Sequence, residues 1–258
     1  MAPLKSVTAA MSMAPLVRHA VGMDSFDPTD VYGVPETDLP PELVATLPGN
    51  SAPAPWSVRA SAVVWWSKAT PAAMAVLPPS VRERGSAVAV VGGLVRYADT
   101  PVGTYDEVFG AIAVLFGRGI GRRLVATIPF MAVDSPSSLV GGRTNWSIPK
   151  TLADFSGAPA DGTPFTASSA TGAGWQVSAT ARAKGPRLPV VSRARVAQEF
   201  PDHSLRGTRL KARGRMRLSR VEADVSSVGE LPGWLPSGRH PGALLDDVHF
   251  SLDVPRPM

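Results

Sequence analysis

The sequence predicts a mainly β chain: an antiparallel sheet, closed into a barrel or folded as a sandwich, with a few short helices beside it. Short runs rich in β-branched and aromatic residues recur along most of the chain and are bounded by turn residues. Glycine and proline, 24 and 26 of 258 residues, break any helical periodicity before it grows long. Between Arg209 and Leu218 basic residues alternate strictly with small or apolar ones, which is the period of a strand and not of a helix.

Taken in order, residues 1–54 read as an N-terminal arm, partly helical and partly loop. The arm is rich in Ala, Pro and Met, carries an acidic patch at Asp24, Asp27 and Asp30, and reads either as a loose terminus or as a segment that packs on a neighbouring subunit. Residues 55–258 read as one domain. Its first strand is expected at Trp56 to Trp66 and is followed by a short helix at Thr70 to Ala75 with Pro71 in its first turn. Ser86 to Tyr97 is a second strand with an expected bulge at Gly92-Gly93. Asp99 to Gly103 turns the chain into a third, Tyr105 to Phe116, and the glycines at 117–121 form a hairpin into a fourth, Arg122 to Val133. Ser135 to Trp146 is the best short helix, capped by Ser135 or Ser137. Further strands are expected at about 150–156, 164–169, 174–184, 208–221 and 246–253.

Composition narrows the function. Without cysteine there are no disulfides, thiolate nucleophiles or thiolate metal sites, and the chain suits a reducing cytosol, so a cytoplasmic location is expected. No apolar run approaches the ~18 residues of a membrane span, and Pro15 interrupts the weakly apolar stretch from Thr8 to Val17 that a signal peptide would need. His19, His203, His240 and His249 show no metal-binding spacing, so no metal is expected. The net charge of +5 invites an anionic partner, but Arg209, Lys211, Arg213, Arg215 and Arg217 have no aromatics between them for base stacking. That strand reads as a solvated outer face or a subunit contact, and no nucleic acid is expected.

Three side chains could carry chemistry. Lys150 follows Pro149 and sits among Trp146, Ile148, Leu152 and Phe155. A lysine held out of water loses its charge more readily, and a neutral amine attacks carbonyl carbon. The bland alternative is a lysine whose stem covers apolar surface while its head reaches water. Glu107 shares a strand face with Tyr105 and Phe109, where a half-buried carboxylate can shuttle protons, although a salt bridge to Arg96 would serve structure alone. Arg59 on the first strand either enters the interior, where its guanidinium could clamp a carboxylate, or is a surface charge.

The run Gly141-Gly142-Arg143-Thr144-Asn145-Trp146-Ser147-Ile148-Pro149-Lys150 resembles the signature of the acetoacetate decarboxylase family, in which a Gly-Arg pair on a short helix leads into a Pro-Lys. Arg122 to Asp134 resembles the strand before that helix, and Asp99 to Glu107 the turn and strand that carry the family's glutamate. Trp56 to Trp66 is similar to its first barrel strand, which carries an arginine. The resemblance covers about residues 55–156 well and the remainder by strand order. It implies a closed antiparallel β-barrel with short peripheral helices, assembled as a homo-oligomer, and a Schiff-base lyase that decarboxylates a β-keto acid without a cofactor. Lys150 and Glu107 would be catalytic, Arg59 would hold the substrate carboxylate, and Met131, Trp146 and Ile148 would line a dry pocket. Many family members place a second lysine after the first, and here that position is Thr151. Aldol or dehydration chemistry on 2-oxo acids through the same lysine therefore stays open, as does an acid-binding barrel that catalyses nothing.

Overall fold

The structure, a computed structural model, describes residues 29–258. Readings that fall on residues 1–28, including most of the acidic patch, lie outside the described residues. Ten strands form one sheet: β1 (Trp56–Lys68), β2 (Gly85–Asp99), β3 (Tyr105–Phe116), β4 (Arg123–Val133), β5 (Lys150–Gly157), β6 (Pro164–Ser169), β7 (Trp175–Glu199), β8 (Leu205–Ser227), β9 (Gly238–Leu252) and β10 (Arg256–Pro257). The helices are short: α1 (Pro41–Val44), α2 (Pro71–Ala75), α3 (Pro79–Arg82), α4 (Pro136–Trp146) and α5 (Leu231–Trp234). Each begins with proline or has it in the first turn, where the missing N–H costs no hydrogen bond.

The strands run in the order β10-β8-β7-β6-β5-β4-β3-β2-β1-β9, and a further β8–β9 pairing joins the two ends, so the sheet wraps into a ring. Most neighbours are antiparallel. Two pairings are not, because α4 carries the chain from the end of β4 back to the start of β5: β4 runs parallel to β5, and parallel to β7 at Ala126–Val196. The expected bulge at Gly92-Gly93 is absent. Those glycines pair regularly with Gly110 and Phe109, and the irregularity lies at Ala87–Ala89. Both are glycine because of close approach: a Cβ on Gly92 would collide with the Trp65 ring and one on Gly93 with Phe109. β7, β8 and β9 run well beyond the expected ranges, and α3 and α5 have no strong signal in the sequence.

Two apolar clusters fill the ring. The larger contains Trp65, Leu94, Phe130, Phe165, Val177, Val221, Trp234 and Leu244. The smaller contains Trp56, Val58, Ala60, Tyr97, Tyr105, Met131, Trp146 and Ile148. β8 serves both by changing faces. Val221, Ala223 and Val225 are buried in the larger cluster, whereas Leu210 and Ala212 lie opposite Leu252 and Phe250, which pack on the smaller. The basic alternation from Arg209 to Arg215 is thereby left on an exposed face.

Part of the expected arm is built into this body. Gly33 lies against Pro149, the Val34 N–H donates to the Pro129 carbonyl at 3.0 Å, and Val34, Glu36 and Thr37 are buried. The Glu36 carboxylate accepts from Ser227 Oγ (2.7 Å) and the Leu231 N–H (2.9 Å), so the segment also ties down the far end of β8.

Candidate active site

α4 starts where the Ser135 hydroxyl accepts from the Ser138 N–H (3.2 Å) with Pro136 next to it, a conventional N-cap. It ends on Ser147 in the left-handed region (φ 53°), whose N–H returns to the Arg143 carbonyl while that of Ile148 returns to Gly142. Cross-links hold this strained corner. Ser147 Oγ donates to the Glu199 carbonyl at 2.8 Å, and Gln198 Nε2 donates to the carbonyls of Ser147 and Ile128. Pro149 then fixes the entry into β5, and Lys150, its first residue, lies opposite Met131 of β4.

Arg143 secures the backbone at that point. It is 2% exposed, its Nε donates to the Lys150 carbonyl at 2.6 Å, and its terminal nitrogen donates to the Thr37 carbonyl. Desolvation pulls its pKa from 12.5 down to about 10, which still leaves the guanidinium charged at neutral pH. With the backbone pinned, the side chain of Lys150 runs across Gly142. A Cβ there would fall 2.5 Å from Lys150 Cδ and 2.6 Å from Cε, so only glycine leaves the path open.

The amine ends among polar groups in an apolar enclosure. Lys150 is 4% exposed and Glu107 3%. Lys150 Nζ donates to Glu107 Oε2 at 2.8 Å and to Ser138 Oγ at 3.0 Å, and stands 5.3 Å from the centre of the Tyr105 ring. The Tyr97 hydroxyl donates to the other carboxylate oxygen at 3.0 Å. Tyr97 and Tyr105 stack with ring centres 4.3 Å apart, and Phe250 packs on the edge of Tyr97. Burial, reinforced by the Glu107 charge, pushes both phenols well above their usual 10, so both remain neutral hydroxyls. A primary amine, a carboxylate and neutral hydroxyls thus meet out of bulk water, a set suited to nucleophilic addition at a carbonyl with local proton transfer. A metal would need a different set, and among the described residues no group of His, Asp and Glu is placed to hold one.

Met131, Trp146 and Ile148 are buried in the cluster that also holds Tyr97 and Tyr105. Arg59 is elsewhere, which corrects the expectation that it meets the substrate. Val58 and Ala60 occupy the inward positions of β1, so alternation turns Arg59 outward. Its side chain is 53% exposed and its Nε binds Asp247 at 2.8 Å. Arg96 does not pair with Glu107 but with Asp106, its direct cross-strand partner. Ser138, Tyr97 and Arg143 were assigned no role from sequence. The helical spacing of Ser138 and Gly142 puts them on one face, and the turn at 99–103 sets Tyr97 opposite Tyr105, so both signals were present once Lys150 was singled out.

The profile of the family described as acetoacetate decarboxylase (ADC) matches residues 42–206, well over half of the chain. The chain belongs to the acetoacetate decarboxylase family. No curated protein matches its sequence. Among solved structures, the fold is similar to an acetoacetate decarboxylase from Legionella pneumophila, with a TM-score of 0.61 and 13% identity over 82% of this chain and 90% of that one. An acetoacetate decarboxylase-like enzyme from Sphingomonas wittichii RW1 aligns with a TM-score of 0.57 and 16% identity, covering 85% of this chain and 97% of that one. The enduracididine biosynthesis enzyme MppR, complexed with the condensation product of pyruvate and imidazole 4-carboxaldehyde, aligns at 0.55 and 15%, covering 80% and 90%. At these identities the neighbours establish the fold, and the family profile carries the membership.

Proposed function

We propose that the protein is a Schiff-base lyase in which Lys150 attacks the ketone of a small keto acid, most simply a β-keto acid that is then decarboxylated. The observation that carries this is the buried Lys150–Glu107 pair, closed off by apolar side chains and by two neutral tyrosines. A purely structural ion pair gains little by being placed there, because desolvation of both charges offsets most of their attraction.

In this reading Glu107 takes a proton from the Lys150 ammonium, and the freed amine adds to the ketone carbon. Proton transfer gives a neutral carbinolamine. The Glu107 carboxylic acid then protonates its hydroxyl, water leaves, and an iminium forms. The electron pair of the bond to the carboxylate flows into the iminium, releasing carbon dioxide and leaving an enamine. One proton from solvent, delivered through Glu107, restores the iminium at carbon, and water hydrolyses it to the ketone and lysine. Ser138, within hydrogen-bond distance of Nζ, would hold the carbinolamine oxygen, and Tyr97 would orient Glu107. Met131, Trp146 and Ile148 would keep the pocket dry, which strengthens these electrostatic interactions. The lysine itself is the electron sink, so the scheme uses no cofactor. We also retain the cytoplasmic, homo-oligomeric setting as part of this proposal.

A second reading keeps the iminium and changes its fate. Glu107 would remove an α-proton from a pyruvate iminium, and the enamine would add to an aldehyde. The condensation product bound to MppR and the presence of buried Thr151 after Lys150 favour keeping it. The two are separated by assaying carbon dioxide release from acetoacetate and related β-keto acids beside carbon–carbon bond formation from pyruvate and aldehydes. Release that disappears in Lys150→Arg supports decarboxylation, whereas product from the second assay alone supports condensation. Turnover that persists in Lys150→Arg would sink both.

A further inference from the structure

At the junction of β7, β8 and β10, away from the lysine, three arginines converge on one cavity. Arg195 of β7 lies directly opposite Arg209 of β8. Arg256 of β10 lies directly opposite Gly207, two positions from Arg209 on the same face of β8. These side chains, with Asp253, Val254 and Pro257, line a cavity of about 140 Å³. A water needs roughly 10–15 Å³ of such space, so the cavity admits several waters or one small oxyanion.

The lining carries more positive than negative charge. Like charges directly opposite on neighbouring strands oppose each other. Some arginines of this surface are neutralised, Arg59 by Asp247, Arg187 by Asp246, and Arg217 by Asp161 and Asp246, whereas Arg182 and Arg220, also directly opposite each other, do not line this cavity. Among the described residues Arg195, Arg209 and Arg256 take part in no salt bridge or side-chain hydrogen bond, and the one carboxylate lining the cavity, Asp253, faces Lys211 at 3.8 Å. Gly207 is the floor. A Cβ there would fall 3.0 Å from Arg195 Cδ and 2.7 Å from Met258 Sδ, so glycine lets the arginine lie across the strand toward the other two.

We propose that this cavity is an anion site for a phosphoryl group, either inorganic phosphate or the phosphate of a small monoester. Three guanidinium forks against one carboxylate leave an excess that matches a dianion better than a monocarboxylate, and their planar donors suit tetrahedral oxygens. The site stands apart from the proposed Schiff-base chemistry, so it holds or fails independently of it. One hydrogen bond joins the two places: the carbonyl of Asp253, a lining residue, accepts from Trp146 Nε1 at 2.9 Å, at the end of the helix that carries Ser138 and Gly142.

The test is calorimetric titration of the full chain, at constant ionic strength, with inorganic phosphate, methyl phosphate and acetate. Saturable one-site binding of a phosphate, with acetate weaker, is expected. Methyl phosphate binding at least as well as inorganic phosphate would identify an ester as the natural source, and the reverse would identify free phosphate. Arg195→Gln and Arg209→Gln should each weaken binding about tenfold, as loss of a charge-assisted hydrogen bond does. Gly207→Ala should weaken it by displacing Arg195, while Arg213→Gln, on the same exposed face beyond the cavity, should leave it unchanged. No saturable binding, or equal weakening by Arg213→Gln and Arg209→Gln, would overturn the proposal.

Discussion

Asp106 and Glu107 are consecutive carboxylates on one strand, and the fold uses them in opposite ways. Asp106 meets Arg96 through two hydrogen bonds, 2.9 Å to Nε and 2.6 Å to the terminal nitrogen, at a rim where the arginine side chain is 44% exposed. Glu107, turned to the other face, meets a lysine that water scarcely reaches. Arginine is a permanent charge with a fork matched to carboxylate, whereas lysine is the cation that burial can turn into a nucleophile. Strand alternation alone separates the two fates. It sends one acid to a stabilising clamp and the next to a reactive pair.

The largest effect expected from breaking this contrast is at the lysine. Lys150→Arg, which keeps the charge and removes the nucleophile, should lower turnover by more than about 10⁴-fold, as loss of a covalent nucleophile does, with little change in the thermal midpoint. Glu107→Gln should lower the rate by about 10²–10⁴-fold, the usual contribution of a general acid–base, measured as kcat. Gly142→Ala leaves both groups in place but pushes a methyl into the lysine's path. A displacement near 1 Å at a reacting atom costs about 10²-fold, so this variant should fold and yet be slow. Asp106→Asn should do the reverse: activity stays near normal, and stability drops by about 1 kcal/mol or less because the pair is partly exposed. For a chain of this size that is a fall of at most about 2–4 °C in Tm by calorimetry.

The contrast also has a signature in pH. Tyr97 and Tyr105 have native pKa values raised by burial and by the Glu107 charge, and the unfolded chain ionises them near 10. Above that pH the native state binds more protons than the unfolded state, so stability falls as pH rises. Their phenolate absorbance should therefore appear with unfolding and not before it, as followed by ultraviolet titration beside circular dichroism.

Much of this was legible in the sequence, and the reason differs by residue. Lys150 could be singled out because a proline before it and apolar neighbours around it are local facts. Glu107 could be placed on the Tyr105 face because alternation is also local. Arg59 is placed in the pocket only by the resemblance of its strand, whereas the alternation of β1 itself, with Val58 and Ala60 inward, turns it out toward Asp247. The expected bulge at Gly92-Gly93 failed for a related reason: the glycines answer to the rings of Trp65 and Phe109, not to the course of their own strand. Residues 33–37, read as part of an arm, are held by Pro129, Arg143 and Leu231, all far along the chain. The lengths of β7, β8 and β9 depend on one another, since each supplies the hydrogen bonds that let the next continue.

The most direct measurement is reductive trapping. The protein is incubated with acetoacetate or pyruvate in the presence of borohydride, digested, and the peptide containing residue 150 is weighed by mass spectrometry. A reduced substrate adduct on Lys150, absent from Lys150→Arg and strongly diminished in Glu107→Gln, is the predicted result. An unmodified Lys150 under conditions of turnover, or an adduct confined to the exposed lysines, would contradict the Schiff-base account.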